Sequence, residues 1–194
     1  MKPPRAPLRF DVSRHPLRRH LEGVSRLAAR LARLNGGDSR AAAVAGLLHD
    51  WLKPLSPSAL ERLMAALGGT FDRETGRIPA IWHGPVAAVL AGRDMGVTDS
   101  PTLDAIRWHA TGHPGFGITG MAVFVADYCE EGRGFPEAAE GRRLALRNLR
   151  AGARYVSASK GAWLASAGAR PHPISMAFNH SLLPAGLAEG GRRG

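Results

Sequence analysis

Ala41–Lys53, AAAVAGLLHDWLK, is a run of small apolar residues that ends in two adjacent polar groups, His49 and Asp50. Asp38 or Ser39 stands just ahead of it as a helix cap, and Pro54 stands just behind it as a stop. The stretch therefore reads as a helix running to about Leu52. Its small residues would let neighbouring helices approach closely. Its far end carries two side chains that can bind a metal.

Working outward, the same pattern of helix and stop recurs. Upstream, Leu17, His20/Leu21, Val24, Leu27/Ala28, Leu31 and Leu34 recur at three- and four-residue steps, an apolar stripe on a helix from about Ser13. Asn35-Gly36-Gly37 ends it. Downstream, Ser56-Pro57 opens a third helix that stops near Gly68-Gly69, and residues 70–78 read as a polar loop. A fourth helix spans Pro79 or Gly84 to about Met95, and a fifth runs from a cap at Asp99 or Ser100 to His109. The loop Thr111–Gly117 leads into a sixth, Ile118–Glu130, with the apolar run MAVFVADYC. One long amphipathic helix is expected over about 137–166, and a short one over about 172–183. Residues 1–13 read as an extended lead-in and 185–194 as a disordered tail. No stretch alternates as a strand would. The expected fold is all-α: a single domain over 14–184, with a core over 17–136 and C-terminal helices over 137–184.

The bulk numbers exclude several classes. The chain has 194 residues, of which 44% are hydrophobic, enough for one domain with a sizeable core and unlike a disordered composition. No apolar run approaches the roughly 20 residues that span a bilayer. The single Cys129 rules out an internal disulfide framework and suits a reducing, cytoplasmic setting. The net charge of +10 is uneven. Ten Lys/Arg face three Asp/Glu over 1–40, seven face ten over 41–133, and nine face three over 134–194. We read the basic ends as solubilising, since no aromatic-interleaved nucleic-acid motif accompanies them. A nucleotide or RNA binder without catalysis is the rival from another class.

Four of the eight histidines stand in ordered positions: His20 within the first helix, His49 closing the second, His83 opening the fourth and His109 closing the fifth. Asp50 adjoins His49, and Asp127 lies in an otherwise apolar helix, where an unpaired carboxylate would cost several kcal/mol. Roughly one helix separates successive members, so each helix can deliver one group to a common centre. Imidazole and carboxylate together suit Fe, Mn, Co or Zn better than Mg or Ca. Neighbours on a helix project about 100° apart. His49 and Asp50 therefore cannot face one metal in the same way, and one solution is that Asp50 bridges two.

The order H…HD…H…H…D, with LLHDWLK, IWHGPVAA, IRWHATGHPG and FVADYCEEGRGFP, resembles the HD-domain metal-dependent phosphohydrolases and, within them, the YqeK family. The resemblance runs from about Leu17 to at least Arg150. It implies an HD-type helical bundle around two metal ions, iron first, with Mn, Co or Zn as alternatives. It also implies symmetrical cleavage of diadenosine tetraphosphate into two ADP by a metal-bridging hydroxide. On that pattern His20, His49 and Asp127 complete one metal site and His83 and His109 the other, with Asp50 shared. Lys53 and Arg133 are candidate phosphate contacts and catalytic cations, since a guanidinium suits bidentate phosphate recognition. In the TGHPGFG loop, Thr111, Gly112 and His113 are further substrate-contact candidates, with His113 a possible proton donor to the leaving phosphate. His15, His172 and His180 read as structural or surface groups, and Trp51, Trp82 and Trp108 as packing residues. The expected partner is a dinucleoside polyphosphate, with a second copy of the chain also considered and no membrane. Other HD-type nucleotide phosphohydrolases and a di-iron HD oxygenase are the alternatives.

Overall fold

The computed structural model describes residues 11–184, so the expected tail and all but the end of the lead-in lie outside the described residues. The first helix, α1, spans Arg18–Leu34 and follows a 3₁₀ turn at Val12–Arg14. It buries Leu21, Val24, Leu27, Ala28 and Leu31 on one face, as the three- and four-residue spacing requires. Leu34 falls off that stripe and is 55% exposed. Gly36, at φ 75°, closes the helix, and the Gly37 N–H reaches back to the Ala32 carbonyl.

Sequence caps set the next starts. The Asp38 carboxylate accepts from the N–H groups of Arg40 and Ala41 at the head of α2, Ser39–Leu48. Ser56 caps α3, Pro57–Ala66, with Pro57 in the first turn. Asp99 caps α5, Ser100–Trp108. Between them α4, His83–Asp94, begins after a 3₁₀ turn at Pro79–Ile81. The expected polar loop over 70–78 contains a further 3₁₀ turn, Thr75–Arg77, held because the Trp82 indole N–H donates to the Thr75 carbonyl.

At the centre lies α6, Ile118–Cys129, which packs against α1, α2 and α5. Its residues Ala122–Ala126 are buried, as an element apolar on every side must be. The C-terminal part closes over it with α7, Pro136–Arg147, α8, Leu149–Ser166, and α9, Pro173–Ser181. No strand occurs among the described residues, and the architecture is an all-α bundle.

Two sequence expectations need correction. The long helix over 137–166 is two helices. Asn148 leaves the helical region, at φ −155° and ψ 109°, and its side chain caps the Ala151 N–H, so α8 turns back to pack on α7. The second helix stops at Leu48, not Leu52. Pro54 has no N–H to bond the Asp50 carbonyl, and the Lys53 N–H takes that carbonyl in a tighter turn. His49 and Asp50 thus sit where α2 gives way to a run of turns.

Close helix approach is built from glycine. A Cβ on Gly46 of α2 would meet Ser25 Cα of α1 at 2.8 Å. A Cβ on Gly84 of α4 would meet the Arg107 carbonyl oxygen of α5 at 2.7 Å. The first contact brings His20 toward His49, and the second brings His83 toward His109.

Candidate metal centre

Each candidate ligand stands at a helix position that aims it inward. His20 comes from α1, His49 and Asp50 from the turn that follows α2, His83 from the start of α4, His109 from the residue closing α5, and Asp127 from the last turn of α6. The structure brings all six together, in two groups that share Asp50. His20, His49, Asp50 and Asp127 offer donor atoms within 4.8 Å of one another, and so do Asp50, His83 and His109.

The Asp50 carboxylate is divided between the groups. Its Oδ1 lies 2.9 Å from His83 Nε2 and 3.1 Å from His109 Nε2. Its Oδ2 lies 3.5 Å from His49 Nε2 and 3.7 Å from His20 Nε2. Asp127 Oδ1 approaches the second pair as well, at 3.2 Å from His20 and 3.5 Å from His49. The turn after Leu48 is what lets one carboxylate face both groups.

Three rings are oriented from behind. His49 Nδ1 donates to the Gly46 carbonyl and His109 Nδ1 to the Ile106 carbonyl, both at 2.8 Å. His20 Nδ1 donates to Glu130 Oε1 at 3.4 Å. With Nδ1 protonated, each ring presents a bare Nε2 to the centre, the arrangement found behind metal-bound histidines.

These donors fit a metal. Nε2 of His20 and Nε2 of His49 are buried and make no hydrogen bond, although carboxylate oxygens surround them. His83 Nε2 and His109 Nε2 face each other at 3.1 Å across Asp50. A cation satisfies orphaned nitrogen lone pairs and neighbouring carboxylates together. The electrostatics agree. Burial pushes the Asp50 carboxyl up, but His109, His20, His49 and His83 outweigh it and hold it well below the usual carboxylate range. Burial draws His49 down, yet Asp127 and Asp50 beside it push it up to about 9, so without a cation a proton takes the place between its Nε2 and the carboxylates. His109, dominated by burial, falls to about 4 and stays neutral, ready to ligate. The His/Asp cluster is thus suited to divalent metal ions.

Beside the cluster opens a cleft of about 930 Å³, lined in part by Asp127, Lys53 and Arg133. Lys53 Nζ donates to Asp50 Oδ2 at 2.6 Å while its side chain stays 48% exposed. Arg133 donates to the Asp127 carbonyl at 3.2 Å and to Asp127 Oδ1 at 3.3 Å. The TGHPGFG residues lie elsewhere. Thr111 lines a smaller cavity that shares Lys160 with this cleft, and its hydroxyl donates to the Gly112 carbonyl. Gly112, at φ 73°, packs against Phe178. His113 stacks on Trp108, and its Nδ1 accepts from the Gly115 N–H. None of Thr111, Gly112 and His113 lines the cleft that holds Lys53 and Arg133.

The remaining histidines serve structure where their bonds are seen. His15 Nε2 donates to the Trp51 carbonyl, and His172 caps α9. Trp82 stacks on Phe71 at 4.6 Å. Sequence reasoning passed over Glu130, Tyr128, Lys160 and Trp163. The signal for Glu130 was its place three residues after Asp127. For Lys160 it was rarity, because the chain has three lysines, Lys2, Lys53 and Lys160, among 26 basic residues.

A bundle whose helices deliver H…HD…H…H…D to one centre is that of the HD domain. The HD-domain family model matches residues 17–132, more than half of the chain, and the chain belongs to this family. Its relatives narrow the family further. The chain is 37% identical over 133 residues to a Bacillus subtilis protein, covering 67% of this chain and 69% of that one. It is 31% identical over 130 residues to one from Halalkalibacterium halodurans, with 67% and 69% covered. Both are named symmetrical bis(5′-nucleosyl)-tetraphosphatase. Among solved structures, a Clostridium acetobutylicum protein described as a predicted HD superfamily hydrolase involved in NAD metabolism matches with a TM-score of 0.79 and 28% identity. That match covers 84% of this chain and 87% of the other. No helix among the described residues is long and apolar enough to cross a membrane.

Proposed function

We propose that the protein is a metal-dependent hydrolase that splits diadenosine tetraphosphate, and related dinucleoside polyphosphates, symmetrically into two nucleoside diphosphates. The observation that carries this reading is the pair of donor groups sharing Asp50 at the edge of a cleft with two cations, Lys53 and Arg133. The names of the curated relatives support the same substrate class.

In this reading His20, His49 and Asp127 would hold one metal and His83 and His109 the other, with Asp50 belonging to both donor groups. A mixed imidazole and carboxylate set fits iron, with Mn, Co or Zn as alternatives. When bound, such a pair supplies Lewis acidity to the phosphoryl group and lowers the pKa of the attacking water. The chain's own residues do the rest. Glu130, Gly46 and Ile106 fix the rings of His20, His49 and His109. Lys53 and Arg133, held beside Asp50 and Asp127, receive phosphate oxygens as the polyphosphate enters. Arg133 suits bidentate contact and Lys53 a single point charge. The single Cys129, a buried free thiol, accords with a cytoplasmic setting.

The test is product analysis. Protein loaded with iron or manganese should convert diadenosine tetraphosphate to ADP alone. AMP plus ATP, or no cleavage with either metal, rejects the proposal. Asp50→Ala should lose metal uptake and turnover together, whereas Lys53→Ala and Arg133→Ala should keep their metal and lose activity.

A further inference from the structure

The cleft beside the metal centre has a second wall that none of the motifs above touches. Lys160 and Trp163 both line it from α8, and their three-residue spacing places them on one helix face. Lys160 is partly buried, with its ammonium 4.7 Å from the centroid of the Phe124 ring. Unlike Lys53 and Arg133, which are held by Asp50 and Asp127, it has no carboxylate within ion-pair distance among the described residues. Burial lowers its pKa, and it feels the charges of Asp127, Lys53, Asp50 and Arg133 at the metal end of the cleft. A cation that rests on a ring face and has no carboxylate against it is an open seat for an anion.

Trp163 is 68% exposed on this wall, so its ring is open to a ligand in the cleft. Two more aromatic rings, Tyr128 and Phe135, line the same cleft and pack edge to face at 5.0 Å. The cleft therefore combines three cations, Lys53, Arg133 and Lys160, with three aromatic rings. Phosphate needs the first set, and a nucleobase stacks on the second. At about 930 Å³ its size lies at the upper end of the range typical of small-molecule sites, roughly 300–1,000 Å³.

We propose that this wall is the seat of one nucleoside diphosphate arm of the substrate: Lys160 takes a phosphate and Trp163 stacks on the base. The assignment rests on the hydrolase reading above and adds the residues that recognise the nucleoside. It makes Trp163 a specificity-determining residue, blind to the phosphates, and Lys160 a binding residue, blind to the base.

Calorimetric titration of the metal-loaded protein with ADP and, separately, with inorganic pyrophosphate tests this. Trp163→Ala should weaken ADP roughly tenfold or more and leave pyrophosphate unchanged, while Trp163→Phe keeps most of the affinity. Lys160→Met should weaken both ligands. ADP affinity within twofold of the parent in both Trp163→Ala and Lys160→Met overturns the proposal, as does a parent protein that binds no ADP. Equal loss of ADP and pyrophosphate in Trp163→Ala also overturns it, because the ring then acts on structure rather than on the base. The two readings fail separately. A parent that does not cleave diadenosine tetraphosphate, but whose Trp163→Ala variant loses ADP alone, rejects the hydrolase reading and upholds the nucleoside seat.

Discussion

Gly46→Ala asks whether the centre depends on how closely α1 and α2 approach. The added methyl carbon would lie 2.8 Å from Ser25 Cα, 2.9 Å from Ser25 N and 3.2 Å from Val24 C. Ordinary carbon contacts begin at about 3.5 Å, so the helices must part by roughly 0.7 Å. The atoms in the way are backbone and cannot swing aside as a side chain would. Overpacking of this kind costs about 1–3 kcal/mol, against about 1 kcal/mol gained from the better helix propensity of alanine. The expected net loss is up to about 2 kcal/mol. The displacement also reaches the site, because the Gly46 carbonyl holds His49 Nδ1 and α1 carries His20. Metal affinity should fall roughly tenfold or more, as it does when an outer partner of a ligand is disturbed. Gly161→Ala is the control: it too sits inside a helix, α8, but nothing lies within 4 Å of its added Cβ. It should gain about 0.5–1 kcal/mol. Urea unfolding of the metal-free proteins and metal titration of the folded ones read both effects. A Gly46→Ala protein as stable as the parent, with unchanged metal affinity, refutes the argument that glycine sets the spacing.

Two further outcomes follow from the centre itself. Glu130→Ala removes the acceptor of His20 Nδ1 and should weaken metal binding about 10–100-fold by titration, with Glu130→Gln intermediate; unchanged affinity in Glu130→Ala shows that the contact does not orient His20. The metal-free protein should be most stable near pH 6.5. His109 lies at about 4 when folded, below its ordinary 6.5, so the unfolded chain binds more protons and stability climbs across that window. His49 lies at about 9, and His20 is also raised, so stability falls again between 6.5 and about 9. A flat or monotonic thermal-melting profile over pH 4–9 in chelated protein contradicts this balance.

Much of the fold was legible because helix ends are local events. Asp38, Ser56 and Asp99 cap where their side-chain chemistry says they should, and Gly36 closes α1 through a backbone conformation that glycine favours. The apolar stripe of α1 and the all-round apolarity of α6 likewise announce what each buries. Asn148 was harder to read. Apolar spacing continues across it, and only the return of α8 onto α7 makes its extended backbone favourable. The short end of α2 was hidden for a related reason: Pro54 marks a stop, but not how many residues before it unwind.

For the site, the sequence by itself determined the donor chemistry and its order. Four imidazoles and two carboxylates at helix ends and on buried faces carry a cost that a cation removes, and their motifs resemble one family. What only the tertiary structure decided is how those donors divide. Asp50 turns one oxygen to His83 and His109 and the other to His20 and His49, because the chain unwinds after Leu48 and Gly46 and Gly84 admit their neighbours. Tertiary packing likewise sets Lys160 and Trp163 across a cleft from Lys53, more than a hundred residues away in sequence, and turns His113 aside to Trp108. Spacing along a chain encodes which face of a helix a residue occupies. Which faces meet is decided by the packing of all the helices at once.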